Sequence, residues 1–140
     1  MKWLPRVCNF LTNYRQSLRA QSVWLRGLQS FHDQRYSDAL DLLRQAQQLS
    51  PDEYGPMDCM HESLVGRCLY AEGRHGEAID RLERSVAVFE NSDKLRRAGF
   101  HREQYIATVK ALAAALEHSG EPSLAAEAKR QLRKLPKEET

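Results

Sequence analysis

Residues 66–88, GRCLYAEGRHGEAIDRLERSVAV, carry the pattern that decides the fold. Apolar side chains recur every three or four positions on both sides of a break at Gly73-Arg74-His75. Val65, Cys68 and Leu69 precede the break; Ala78, Ile79, Leu82 and Val86 follow it. That spacing is the period of an amphipathic helix, so the stretch reads as two helices joined by a tight turn. Gly73 stands where a helix C-cap needs a left-handed residue. Gly66 and Ala78 are small, as two closely crossing backbones require.

The same pattern occurs earlier. Gly27, Phe31, Tyr36, Ala39 and Leu40 match Gly66, Tyr70, His75, Ala78 and Ile79, each at an offset of 39. A weaker third copy runs through Ala113, Gly120 and Ala125, with Gly120 lying 47 residues after Gly73. Internal repetition of a helix-turn-helix unit is the sequence signature of a solenoid.

The chain resembles the tetratricopeptide repeat (TPR) family, whose unit is about 34 residues. Gly27, Phe31, Tyr36, Ala39, Ala46 and Pro51 carry the likeness in the first copy, and Gly66, Tyr70, Gly73 and Ala78 in the second. Ala113, Leu116, Gly120 and Ala125 carry it in the third. His75 replaces the aromatic of the second copy, and Pro122 that of the third. The resemblance implies an all-α, right-handed superhelical solenoid of about three TPR units (about 20–53, 59–92 and 106–136) with an N-terminal capping helix over residues 1–19. Residues 137–140 are expected to be a disordered tail. The longer loop at 50–56 accounts for the stretch of the unit from 34 to 39.

The remaining segments fit around these copies. Trp3, Leu4, Val7, Cys8, Phe10 and Leu11 make residues 1–12 too apolar for a free tail. A short helix covering the open end of the stack is expected there, with docking to a partner as the rival. Residues 13–33 read as one helix whose buried stripe is Tyr14, Leu18, Val23, Leu25 and Leu28. Ser37 and Asp58 are candidate N-caps. Residues 94–119 read as one long helix, or two in line with a kink at Gly99. Its sparsely apolar front (Leu95, Phe100, Tyr105) is expected to project from the stack.

Composition narrows the chemistry. The chain has 140 residues, 29% charged, and a net charge of +2 with acids and bases interspersed. No basic block resembles a nucleic-acid footprint. The longest apolar run, Ala111 to Leu116, cannot span a bilayer. There are three cysteines, an odd number. Cys59 and Cys68 on one helix stand about 13 Å apart, too far to bridge. A reducing compartment and a cytoplasmic location follow as expectations. The five histidines are scattered, and no His/Cys pair has metal-ligand spacing. Glu62, Glu72, Glu77, Asp80 and Glu83 read as a solvated face, with Glu77–Arg81 and Asp80–Arg84 as surface pairs. There is no phosphate loop and no nucleophile motif. No enzyme activity, cofactor or metal is expected.

The TPR resemblance implies a concave wall made by the first helix of each unit. On it would lie Gln21, Trp24, Leu28 and Phe31; then Met60, Ser63, Arg67 and Tyr70; then Ala107, Lys110, Ala114 and Glu117. Trp24, Leu28, Phe31, Arg67, Tyr70 and Lys110 are the expected partner-binding residues, Trp24 and Phe31 as an exposed aromatic anchor. The rival place for Trp24 is beneath the N-terminal segment, against Trp3 or Phe10. The family's carboxylate clamp is missing: Trp24, Leu28, Leu64, Ala107 and Ala111 stand where its lysines, asparagines and arginine would be. The expected function is a protein–protein interaction module. The alternative is a dedicated chaperone for a secreted or aggregation-prone client. The partner is another protein, and the sequence leaves room for a homodimer through the N-terminal segment.

Overall fold

The computed structural model describes residues 4–92 and 99–135, and every regular element among them is helical. The chain divides into two compact units after Gly55. The first holds α1 (Leu4–His32) and α2 (Tyr36–Leu49). The second holds α3 (Cys59–Ala71), α4 (His75–Glu90), α5 (Gly99–His118) and α6 (Pro122–Arg133). α1 pairs with α2, α3 with α4 and α5 with α6; α5 also packs on α4 and α3.

Each helix pair turns in the same way. Gln34, Gly73 and Gly120 are left-handed, with φ of 61°, 80° and 76°. The following N–H reaches five residues back in each case: Arg35 to the Ser30 carbonyl (2.8 Å), Arg74 to Leu69 (2.9 Å) and Glu121 to Leu116 (2.9 Å). This is the Schellman closure, which satisfies carbonyls the helix end would leave bare. Gln34 occupies the position of Gly73 in the earlier copy, so the first turn repeats the geometry without the glycine.

Where the helices cross, side chains are small. A Cβ on Gly27 would come within 3.2 Å of Leu43, and one on Gly66 within 2.7 Å of Leu82 Cγ. In the second unit Cys59, Phe89, Tyr105 and Val109 form a core cluster, with Ala128 and Leu132 of α6 against it. Phe89 and Tyr105 meet edge to face at 5.6 Å. The Tyr105 hydroxyl donates to Glu90 Oε1 at 3.2 Å. Asp58 caps α3 as expected, its carboxylate accepting from the Met60 and His61 N–H groups at 3.0 Å.

Several expectations change. α1 runs unbroken through residues 12–20, so no separate short helix precedes the first repeat. The helix period continues with no glycine or proline to stop it. Ser37 lies inside α2, because the turn at Gln34 starts the helix at Tyr36 and leaves Arg35 at the cap. Tyr105 does not project: it is among the largest fully buried side chains. Leu95 and the rest of 93–98 lie outside the described residues. The stripe assigned to the core of α1 is also revised. Ala20, Val23, Gly27 and Ser30 are its buried residues, while Tyr14, Leu18 and Leu25 are exposed. The small residues win because only they let α2 approach. No described helix is long and apolar enough to cross a membrane.

Gly66→Ala should lower the unfolding free energy by about 1–3 kcal/mol, because the new methyl meets Leu82. Gly27→Ala, facing a looser contact, should cost less. Urea unfolding of both variants measures the difference; equal costs would remove the close crossing at Gly66.

Candidate interaction surfaces

In the first unit the aromatic residues of α1 each have a neighbour of their own. Trp24 is half-buried and stacks on Tyr54 at 5.6 Å with the rings 13° from parallel. Tyr54 arrives from the loop after α2, which the sequence pattern does not place. The Trp24 Nε1–H is enclosed without a hydrogen-bond partner. Phe10 is exposed and stacks on Tyr14 at 6.3 Å instead of covering Trp24. Trp3 lies outside the described residues. Phe31 is half-buried, edge-on to Tyr36 at 5.8 Å. Leu28 is half-buried as well. Trp24 and Phe31 are therefore only partly open to solvent, each also used in packing.

In the second unit the outer faces of α3 and α5 are joined by side chains. Arg67 donates to Gln104 Oε1 at 2.9 Å. The Tyr70 hydroxyl lies 3.2 Å from His118 Nδ1. His118 also stacks on His75 at 5.0 Å, and Tyr70 sits 5.3 Å from His75. His118 of α5 thus joins Tyr70 and His75, the counterparts of Phe31 and Tyr36 in the repeat, in one ring cluster on α3, α4 and α5. Lys110 is exposed on α5. Ser63, expected on this wall, is instead fully buried, its hydroxyl 2.6 Å from that of Thr108. Met60 packs against the Cys59–Phe89 core. α5 takes up that side of α3, which is why both turn inward. Glu117 is engaged by Lys129 of α6.

Beneath this wall lies a charge that sequence reading put on the surface. Glu62 is 0% exposed, and its Oε1 accepts from Arg81 Nη1 at 2.9 Å. Its second oxygen has no hydrogen-bond partner among the described residues. Glu77, expected on Arg81, pairs with Arg74 at 2.7 Å. Arg81 turns across to α3 because a buried carboxylate needs a counter-charge far more than an exposed one does. His61 is buried beside them. Burial pushes its imidazole down to about 4, and the Arg81 guanidinium pushes the same way. Burial likewise pushes the Cys68 thiol up to about 12 against the pull of Arg67. Burial, then Asp58, raises Cys59. Neither thiol is a thiolate at neutral pH, so neither is a ready nucleophile. Among the described residues no three or more of His, Cys, Asp and Glu gather as a metal site.

Two outcomes test this buried group. Arg81→Met leaves the Glu62 carboxylate unpaired and should cost about 3–5 kcal/mol, part of it recovered by adding Glu62→Gln. Urea titration of the single and double variants reads this. The folded pKa of His61 lies below the ordinary 6.5, so the unfolded chain takes the proton first. Its contribution is intact above about pH 6.5 and is lost as pH falls toward 4, by up to about 3 kcal/mol. His61→Gln should flatten the acid arm of stability between those pH values; an unchanged arm would show that His61 is protonated in the folded protein.

No family model matches the chain, and no curated protein matches it in sequence. Among solved structures it is similar to that of a mutant of MamA, a TPR-like helical repeat protein. The identity is 20% and the TM-score 0.64, over 85% of this chain and 74% of that one. At that identity the likeness is one of fold, and the chain is an all-α, TPR-like helical repeat protein.

Proposed function

We propose that the chain is a protein-interaction module whose first helices hold a segment of another protein. The observation that carries this reading is the linkage of Arg67 to Gln104 and of Tyr70 to His118. These contacts join the outer faces of α3 and α5 into one surface of rings and polar groups. Arg67, Tyr70 and Lys110 are its contact residues in the second unit. Trp24, Leu28 and Phe31 on α1 are those of the first. Helix pairs packed through small residues give a rigid support, and the outward side chains are free to vary with the partner. A ring cluster with a guanidinium is the kind of surface on which binding energy concentrates. The TPR-like fold supports the reading. The free thiols of Cys8, Cys59 and Cys68 support a reducing compartment such as the cytoplasm.

Cross-linked affinity capture with the intact protein should identify a partner. Arg67→Glu with Tyr70→Ala should weaken it about tenfold or more. Trp24→Ala with Phe31→Ala should weaken it if the first unit contributes. Circular dichroism checks that each variant folds. Undiminished capture by both double variants would refute the assignment.

A further inference from the structure

α1 has a second face. Val7, Leu11, Tyr14, Leu18 and Leu25 follow one another at spacings of four, three, four and seven, with Phe10 beside them. With Gln21 in the vacant step, this is the alternation of a heptad seam. At about 100° per residue the seam lies roughly opposite Ala20, Val23, Gly27 and Ser30, the face of α1 that is buried toward α2. All six apolar side chains are 41–67% exposed. α2 cannot cover them: at 1.5 Å per residue it is about 21 Å long against about 43 Å for α1. Together they leave on the order of 500 Å² uncovered, the size at which an apolar patch marks an interaction site. A matching helix would bring the buried total to about 1,000 Å², enough for a specific if transient contact.

The flanks of the seam say what fits. α1 contains Arg6, Arg15, Arg19 and Arg26 and no acidic residue. Arg15, Arg19 and Arg26 lie along one edge of the seam at helical spacing. The opposite edge is different. There Ser17 donates to the carboxylate of Glu53, which brings the acidic 52–53 loop alongside. We infer that this seam docks an amphipathic helix of another protein, apolar along a heptad stripe and acidic along the edge that faces Arg15, Arg19 and Arg26. A second copy would offer those arginines only its 52–53 loop, held beside Ser17, and would leave Arg26, about 13 Å further along the helix, without a carboxylate. A uniformly anionic membrane would meet the Asp52–Glu53 edge as well as the arginine edge. The seam lies on different residues from Arg67, Tyr70 and Lys110, so this inference stands or falls apart from the wall of α3 and α5.

The test uses the full chain and two synthetic helical peptides of about 21 residues. Both have leucine at the heptad positions; one carries glutamates along one edge of the stripe, the other lysines. Fluorescence anisotropy should show the glutamate peptide binding roughly tenfold more tightly than the lysine peptide at low salt. Arg15→Glu/Arg19→Glu/Arg26→Glu should reverse that preference while leaving the helical circular dichroism unchanged. Leu11→Gln/Leu18→Gln should abolish binding of both. Equal affinity for the two peptides, or binding of neither, overturns the inference. So does a dimer in sedimentation that Leu11→Gln/Leu18→Gln dissolves, which would make the occupant a second copy. Binding to phosphatidylserine vesicles in place of the glutamate peptide would make it a membrane.

Discussion

How near two helix backbones can come governs this molecule. At Gly66 the distance leaves no room for a β-carbon under Leu82, and Gly27 stands under Leu43 almost as tightly. Each crossing thus seats one leucine side chain where the facing residue has none, Leu82 over Gly66 and Leu43 over Gly27. Two short polar side chains in the packed interior spend their hydrogen on a backbone carbonyl. The Ser85 hydroxyl donates to the Cys59 carbonyl at 2.7 Å, and Thr108 donates to the Gln104 carbonyl at 2.5 Å. Small residues therefore set both the spacing of the pairs and the chemistry allowed between them.

α3 is the most enclosed helix, with six consecutive buried residues from His61 to Gly66. It has α4 on one side and α5 on another. That enclosure explains why a carboxylate and an imidazole, Glu62 and His61, end up away from solvent. A buried ion pair is seldom a net gain in stability over apolar packing, but it penalises any register of α4 that separates Arg81 from Glu62. The outer face of α3 keeps Arg67 and Tyr70 half-exposed, each tied to α5. Close packing and a half-exposed polar face are thus two sides of one helix.

α1 is the same repeat element in a different setting. Within its unit it has a single helical neighbour, and the residues it buries fully are the small ones that face it. Its large apolar residues are left over, on the other side and on the turns beyond the end of α2. A repeat cannot bury two faces against one partner. The surplus is the physical origin of the seam, and the absence of any acid on α1 gives the seam its charge preference.

Helix existence, the turns at Gly73 and Gly120, the cap at Asp58 and the small residues at 27 and 66 were legible in the sequence, because each follows from local geometry that recurs with the repeat. What lay beyond reading were contacts whose partners are far apart in the chain: Tyr54 over Trp24, Arg81 on Glu62, and His118 against Tyr70 and His75. Periodicity shows that a helix has an apolar stripe but not which of two stripes a neighbour will cover. In α1 the choice fell on Ala20, Val23, Gly27 and Ser30, since closeness of approach outweighs side-chain bulk, and only the packed structure decides that.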